Sequence, residues 1–449
     1  MTEFKRFFEE LRGKNVAVAG YGVSNRPIVP FLLEYGARVT VFDKKTVGEL
    51  GPEALAAAKN GVTFVSGEKY LERVEGDVIF RSPGIHPKHF AGRGDRLTSE
   101  AEAFFEVAPC PIIGITGSDG KSTTTTLISK LLLQAGYRAH LGGNIGTPLL
   151  PLVPDMRKED VAVMELSSFQ LMTMKTSPHV AVVTNVTPNH LDIHRDMEEY
   201  VEAKKNIFLH QKDGDRLVVN LDNEITAGFE AAPGAERAGF SLLGRSVGNQ
   251  SVWLDEEGVI RADGEEILRA DRILLPGRHN IANYMAAIAA TRRYVAKEAV
   301  APVAESFGGV VHRLELVREK DGVRYINSSI DSSPTRTIAA LSVFKEKIVA
   351  IMGGYDKHLD YTPLGAPAEE RCAAVVLMGA TADKIDRAVG GGVKKVRAES
   401  MEDAVKKAEA LARETGSKVV LLSPASASFD MFKNFEERGN LFRKIVEEL

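Results

Sequence analysis

Short runs of β-branched and apolar residues alternate along the chain with segments whose apolar positions recur every three or four residues, so strand and helix periods are interleaved throughout. Strands are expected at 15–19, 38–42 and 77–80, at 112–116, 161–165, 180–185 and 216–220, and at 347–352, 373–378 and 418–422. These runs are apolar almost residue by residue rather than alternating, the mark of strands covered on both faces in a mainly parallel sheet. Helical patterns fall between them: up to Glu34, near Glu53 to Lys59, from Ser122 to Ala135, from Gly277 through Arg293, and over Met401 to Thr415. Phe4, Phe7, Phe8 and Leu11 recur at helical spacing, which predicts a short amphipathic helix docked on the first domain. Between Gly228 and Asp271 glycines interrupt short alternating pieces such as Ser251 to Leu254, and a small antiparallel excursion is expected there.

The fold class is therefore α/β, and 449 residues are too many for one hydrophobic core. Prolines at Pro109 and Pro111 mark one boundary, and a third α/β part begins near His312 to Leu314, giving expected domains at 1–107, 108–310 and 311–449. The first opens with strand, glycine turn, helix and strand, a Rossmann-like unit; the second has a strand, glycine loop and helix, in the manner of a P-loop ATPase, on the mainly parallel sheet that carries the excursion.

Composition removes several classes of function. With 61 acidic against 57 basic residues there is no broad basic field to grip a nucleic acid or an anionic membrane. Cys110 and Cys372 form no ligand pair or disulfide framework, as expected in a reducing compartment. No run approaches the ~20 apolar residues of a membrane span, and Met1 to Lys14 lacks a signal-type apolar stretch, so a cytoplasmic location is expected.

The strongest chemical signal is Gly114-Ile-Thr-Gly117-Ser118-Asp119-Gly120-Lys121-Ser122-Thr123. Glycines allow a tight loop whose amides converge on phosphate oxygens, Lys121 supplies a point charge, and the Ser122 hydroxyl can ligate Mg²⁺. The match to the general nucleotide pattern is imperfect, since Ile115 stands where its first glycine falls and glycines sit at 114 and 117. The turn Gly20 to Asn25 is weaker: Asn25 replaces a third glycine, and the turn serves either a diphosphate or the fold alone. Glu165 ends an apolar strand, where it is either a magnesium ligand or a carboxylate at a helix start. His190, in Asn185-Val-Thr-Pro-Asn-His-Leu-Asp192, serves a metal or phosphate or is a structural hydrogen bonder. Lys204, on an expected helix, would by default be an exposed solubilising residue.

In combination, Gly117 to Thr123, Glu165 to Gln170, Asn185 to Asp192, Tyr200 to Lys204 and Gly277 to Asn283 resemble the ordered central motifs of the Mur ligases, the amide-forming ligases of peptidoglycan precursor synthesis. The resemblance implies a uridine-nucleotide-binding N-terminal domain, an ATP-binding central domain and a Rossmann-like C-terminal domain that binds the amino acid, with domain closure during turnover. It implies ATP and Mg²⁺ as cofactors, with Ser122, Glu165, His190 and Lys204 around the metal. Lys204 falls at the family's carbamylated lysine. Asn144 resembles a residue near the reacting carboxylate, so Lys121, Asn144, His190 and Lys204 make up the expected catalytic set. Asn280, Asn283, Arg313 and Asp331 resemble nucleotide contacts, joining the loop residues 117–123.

Within the family, Leu422 to Gly439 resembles the signature of the branch that joins D-glutamate to UDP-N-acetylmuramoyl-L-alanine, with Ser428, Phe435 and Lys357 at positions that hold the amino acid. Without the resemblance, Ser426 and Ser428 read as helix N-caps, and Phe432 with Phe435 as a core stripe. Val23, Ser24, Asp43, Lys44, Lys45, Ser82 and Gly84 fall near the uridine diphosphate positions. One departure stands out: that branch carries a lysine where this chain has Ser333, although Arg336 lies three residues on. The expected reaction runs through an acyl phosphate, in a monomer. The rivals are another amino-acid ligase of the family, a folylpolyglutamate-type ligase included; an NAD-dependent oxidoreductase using the Gly20 turn; and a non-catalytic nucleotide-binding protein.

Overall fold

The computed structural model describes residues 2–93, 96–188, 193–245, 251–357 and 359–449, which form three sheets in two compact units, Met1–Ser306 and Phe307–Leu449. In the first unit, β1 (Asn15–Ala19), β2 (Arg38–Asp43), β3 (Thr63–Ser66), β4 (Val78–Arg81) and β5 (Arg96–Thr98) build an all-parallel sheet in the order β3-β2-β1-β4-β5. Successive connections leave β1 in opposite directions, so the loops after β1 and β4 part at their carboxyl ends and open the crevice where such sheets take ligands. The helix Glu3–Glu9 packs Phe4, Phe7 and Phe8 into the first unit's core, with Thr2 accepting a hydrogen bond from Lys5 at its start.

The larger sheet holds β6 (Ile112–Thr116), β7 (Ala139–Gly143), β8 (Val161–Glu165), β9 (Val180–Val183), β10 (Arg216–Asn220), β11 (Glu236–Ser241), β12 (Ser251–Leu254), β13 (Val259–Ala262) and β14 (Glu265–Arg269). Their order is β14-β13-β12-β11-β10-β9-β6-β8-β7. All pairs are parallel except β12-β13 and β13-β14. The antiparallel excursion is therefore confined to Ser251–Arg269, because β11 and the start of β12 continue the parallel sheet. β6 lies between β8 and β9 with Ile115 opposite Glu165 and Thr116 opposite Val183, which aligns the carboxyl ends that carry the candidate site.

In the second unit β15 (Glu315–Lys320) and β16 (Val323–Asn327) form an antiparallel pair. β17 (Ile348–Met352), β18 (Cys372–Leu377), β19 (Lys394–Arg397) and β20 (Val419–Leu422) complete a sheet in the order β15-β16-β20-β17-β18-β19, its remaining pairs parallel. The helix Met401–Thr415 buries Ala404, Val405, Ala408 and Leu411 against one face, with Ser400 as its N-cap. No helix among the described residues is long and apolar enough to cross a membrane.

Candidate active site

β6 ends at Thr116, and after four residues the helix Lys121–Gln134 begins, so its first amides border the loop between them. Two glycines allow this loop to lie close to its surroundings. Gly117 has φ +148°, and a Cβ there would meet Thr184 Oγ1 at 1.9 Å; Gly120 has φ +79°, and a Cβ would meet Asn283 Oδ1 at 2.4 Å. The loop is fixed from outside by β9's exit. Thr184 Oγ1 donates to Asp119 O at 2.6 Å, Ser118 N to Asn185 O at 2.9 Å, and Asp119 N to Asn185 Oδ1 at 2.9 Å. Ser118 Oγ meets Tyr200 OH at 3.0 Å. Lys121 Nζ lies back against the loop, donating to the carbonyls of Gly117 and Ser118 at 2.9 Å each.

Glu165, at the end of β8, is 2% exposed. One carboxylate oxygen accepts from Ser122 Oγ at 2.7 Å and the other from Asn144 Nδ2 at 2.7 Å. Asn144 comes from the turn after β7, whose Gly143 backbone sits so close to Glu165 O that a Cβ would approach it to 2.3 Å. A hydroxyl, a carboxylate and an amide thus converge beside the phosphate loop. Among the described residues there is no cluster of three or more His, Cys, Asp or Glu. Such a sparse oxygen set suits Mg²⁺, which takes one or two protein carboxylates and leaves its other positions to phosphate oxygens and water.

Lys204, on the helix Met197–Lys205, is 1% exposed rather than solvated, and donates to Gly117 O at 2.8 Å and Thr116 Oγ1 at 3.3 Å. Its ammonium also lies 4.6 Å from the Tyr200 ring centroid. Burial, followed by the charge of Lys121, holds it well below the usual lysine range, against an opposing pull from Asp119 and Glu165. His190 lies outside the described residues, as do its neighbours in 189–192. Asn280 and Asn283, on the helix Arg278–Thr291, are linked at 3.1 Å, and Thr124 Oγ1 donates to Asn283 Oδ1 at 3.3 Å, so this pair stands beside the start of the phosphate-loop helix.

At the crevice of the smaller sheet, Asp43 ends β2 and accepts from Tyr21 N at 2.8 Å and Lys45 N at 2.9 Å, so it organises the turns after both β1 and β2. Val23 is 64% exposed and Ser24 half-buried on the first turn; Lys44 pairs with Glu68 at 3.1 Å; Ser82 and Gly84 follow β4. Asn25 is buried and donates to the carbonyls of Ala19, Gly20 and Phe80, tying β1's turn to β4. The replacement of a glycine by Asn25 is thus explained as a cross-strand tie.

In the second unit the exit loops of β16, β17 and β20 converge. Arg313, Asp331 and Arg336 line one small cleft with Ser328. Asp331 accepts from Ser423 Oγ at 2.8 Å, and burial lifts its carboxyl to about 6. The loop carrying Lys357 runs beside that carrying Ser428, joined by Gly353 N to Pro424 O and Tyr355 N to Ala427 O; Lys357 Nζ lies 5.7 Å from the Phe429 ring centroid. Ser428 is buried; Phe435 opens the last helix, and its carbonyl accepts from Ser329 Oγ. The N-cap is Asn434, not Ser426 or Ser428: Ser426 Oγ instead bonds Tyr361 OH and Thr381 Oγ1, each at 2.8 Å. Ser333 stands at the start of the helix Pro334–Ser342, while Arg336 donates to Ile330 O.

Three organising residues went unassigned in the sequence. Thr184 braces the loop; Arg438, 1% exposed, holds Ser426 O, Ala427 O and Ser329; Arg81, fully buried, spans two segments of the first unit. Each arginine had one visible signal, a long cation on an otherwise apolar strand or buried helix face.

Comparison with known proteins agrees with this geometry. The Mur ligase middle domain matches residues 115–291, and the Mur ligase glutamate ligase domain matches 312–426. A protein of Ruminiclostridium cellulolyticum named UDP-N-acetylmuramoylalanine--D-glutamate ligase is 45% identical over 100% of this chain and 99% of its own length. One of the same name from Clostridium botulinum strain Alaska E43 is 47% identical over the same shares. Among solved structures, the UDP-N-acetylmuramate-alanine ligase of Thermotoga maritima aligns with TM-score 0.56 at 14% identity, covering 97% of this chain and 99% of that one. A MurF of Acinetobacter baumannii gives 0.57 at 18%, covering 98% and 92%. The fold is shared with both, and with domain matches over most of its length and full-length relatives near half identity, the chain belongs to the Mur ligase family.

Proposed function

We propose that this chain is an ATP-dependent amide ligase that joins D-glutamate to the terminal carboxylate of UDP-N-acetylmuramoyl-L-alanine through an acyl phosphate. The observation that carries the chemistry is the convergence of Ser122, Glu165 and Asn144 beside a phosphate loop that also holds two lysines. The substrates follow from the full-length relatives, whose name specifies UDP-N-acetylmuramoylalanine and D-glutamate. In this reading residues 1–107 bind the uridine nucleotide through Val23, Ser24, Asp43, Lys44, Lys45, Ser82 and Gly84. Residues 108–310 bind ATP through 117–123, Asn280 and Asn283, and residues 311–449 contribute Arg313 and Asp331 to the nucleotide and Lys357, Ser428 and Phe435 to the amino acid.

An oxygen of the substrate carboxylate attacks the γ-phosphorus of ATP, ADP leaves, and the carboxyl carbon becomes an acyl phosphate. The amine of D-glutamate then attacks that carbon and phosphate departs, leaving the amide. Lys121 and the loop amides stabilise charge on the transferring phosphoryl group. Mg²⁺, when bound by Ser122, Glu165 and a modified Lys204, would neutralise phosphate charge. Asn144 orients Glu165 and lies where the reacting carboxylate would come.

Lys204 in this reading carries a carbamate. Its amine is buried and is held well below the usual range, so the neutral form that adds CO₂ and releases a proton is accessible. A carbamate carbonyl resonance in ¹³C-bicarbonate, absent from Lys204→Ala, is the expected observation; its absence from the native chain would overturn the modification. The reaction is tested by phosphate release with Mg²⁺-ATP and UDP-N-acetylmuramoyl-L-alanine, comparing D-glutamate with L-glutamate, L-alanine, L-lysine and meso-diaminopimelate, with the adduct weighed by mass spectrometry. Strict dependence on D-glutamate is expected, and turnover only with another amine would move the substrate assignment.

A further inference from the structure

Arg81 ends β4 immediately before the Ser82-Pro83-Gly84 loop and is 0% exposed, and its hydrogen bonds among the described residues go to neutral acceptors, with Glu102 acting on it only as a neighbouring charge. Instead its fork is divided. Nη1 donates to Ile85 O at 2.8 Å and Pro83 O at 3.4 Å, closing the loop that follows β4. Nη2 donates to Phe169 O at 2.7 Å and Thr173 Oγ1 at 3.2 Å, in the segment that follows Glu165. Its Nε has no hydrogen-bond partner among the described residues.

Both ends of this bridge lead to functional groups. On one side are Ser82 and Gly84, at the mouth of the smaller sheet. On the other, Phe169 stacks on His194 at 5.3 Å, and His194 Nε2 meets Ser168 Oγ at 2.9 Å, three residues beyond Glu165. A second, looser link runs in parallel: His86, on the same loop, lies 3.9 Å from Glu199 on the helix that carries Lys204. A guanidinium whose hydrogen bonds all go to neutral acceptors is costly to bury even with Glu102 nearby, so its presence calls for a role that an apolar side chain of the same volume would not fill. The rigid fork can hold two segments at a fixed separation, which a flexible ammonium cannot.

We infer that Arg81 is a positioning residue: it sets the distance between the loop that receives the uridine diphosphate end of the substrate and the Glu165 edge where its carboxylate is phosphorylated. The substrate is anchored at one end and reacts at the other, so an error in this distance leaves binding at either end intact and misaligns the carboxylate with the phosphoryl group. Misplacement of about 1 Å is enough to cost on the order of 100-fold in rate. The inference rests on the proposed function.

The test uses the full-length chain with Arg81→Lys, which keeps the charge and loses the fork, and Thr173→Val, which removes only one acceptor at the far end. Expected for Arg81→Lys is a kcat at least tenfold lower, with KM for ATP and for UDP-N-acetylmuramoyl-L-alanine each within about twofold. For Thr173→Val a smaller fall of about threefold is expected, in the same pattern. A merely structural arginine would lower the melting temperature and leave kcat per folded molecule unchanged; kcat within twofold of native in folded variants overturns the inference. Should Arg81→Lys fail to fold, Thr173→Val decides by the same criterion. Native enzyme that turns over with these substrates while both variants match it defeats the inference alone, whereas native enzyme that does not turn over defeats the proposed function.

Discussion

At Gly117, the chemistry of the loop depends on the absence of an atom. A Cβ would meet Thr184 Oγ1 at 1.9 Å, and Thr184 is not free to yield, since it donates to Asp119 O at 2.6 Å. Gly117→Ala should therefore displace the loop rather than the strand, lowering kcat/KM for ATP at least 100-fold with an unchanged circular dichroism spectrum; near-native phosphate release would show that the loop tolerates the shift. Lys121→Ala belongs to the same scale but acts through charge. Its fold should survive, because the ammonium's bonds to the carbonyls of Gly117 and Ser118 stay within the loop itself, while ligation should fall at least 1000-fold through lost phosphoryl stabilisation. Lys204 shows how residue type alone misleads: a lysine late in a helix is ordinarily solvated, and only its packing under the loop and over Tyr200 gives it a depressed pKa.

At the scale of elements, the site hangs on very short pieces. The helix Ser168–Leu171 has four residues and is held by a reciprocal cap: Gln170 N donates to Ser167 Oγ, and Ser167 N donates to Gln170 Oε1 at 2.9 Å. Ser167→Ala should cost about 1 kcal/mol in urea unfolding, and kcat should fall severalfold because Phe169 and Ser168 lean on this turn; an unchanged kcat would show that the turn's neighbours hold it alone. Such pieces were the hardest to read in the sequence. β1, β6, β8 and β10 were legible because their β-branched runs are buried on both faces, and Met401–Thr415 because its apolar stripe repeats over four turns. β3, β5, β7 and β19 were not: they are short and only partly buried, so their side chains carry little hydrophobic signal. The same contrast holds for site residues. Phosphate-loop glycines announce themselves by spacing, whereas Thr184, Arg81 and Arg438 act through contacts 65, 88 and 109 residues away, which no local pattern contains.

Across the whole molecule, burial of acids gives each unit a pH dependence of the same sign. Glu100 begins the helix Glu100–Val107, and its Oε1 accepts from Leu150 N at 2.9 Å, linking that helix to the segment after Asn144. Burial raises its carboxyl to about 7 in spite of that bond. Because the folded-state value lies above the unfolded one, near 4.5, the folded chain binds more protons between those limits. Stability contributed by this group therefore falls as pH rises through that window, with the full penalty present above about pH 7. Asp331, lifted to about 6, adds the same trend to the second unit over a lower window. Glu100→Gln keeps a carbonyl acceptor for Leu150 and removes the charge, at the expense of an extra amide donor to satisfy. It should be more stable than the native chain by about 1–2 kcal/mol at pH 8.5, with the gain gone at pH 5, where the native carboxyl is already protonated. Urea unfolding of the two proteins at both pH values measures this directly: a difference that does not change with pH would mean that Glu100 ionises as readily in the folded chain as in the unfolded one, and that the pH dependence lies elsewhere.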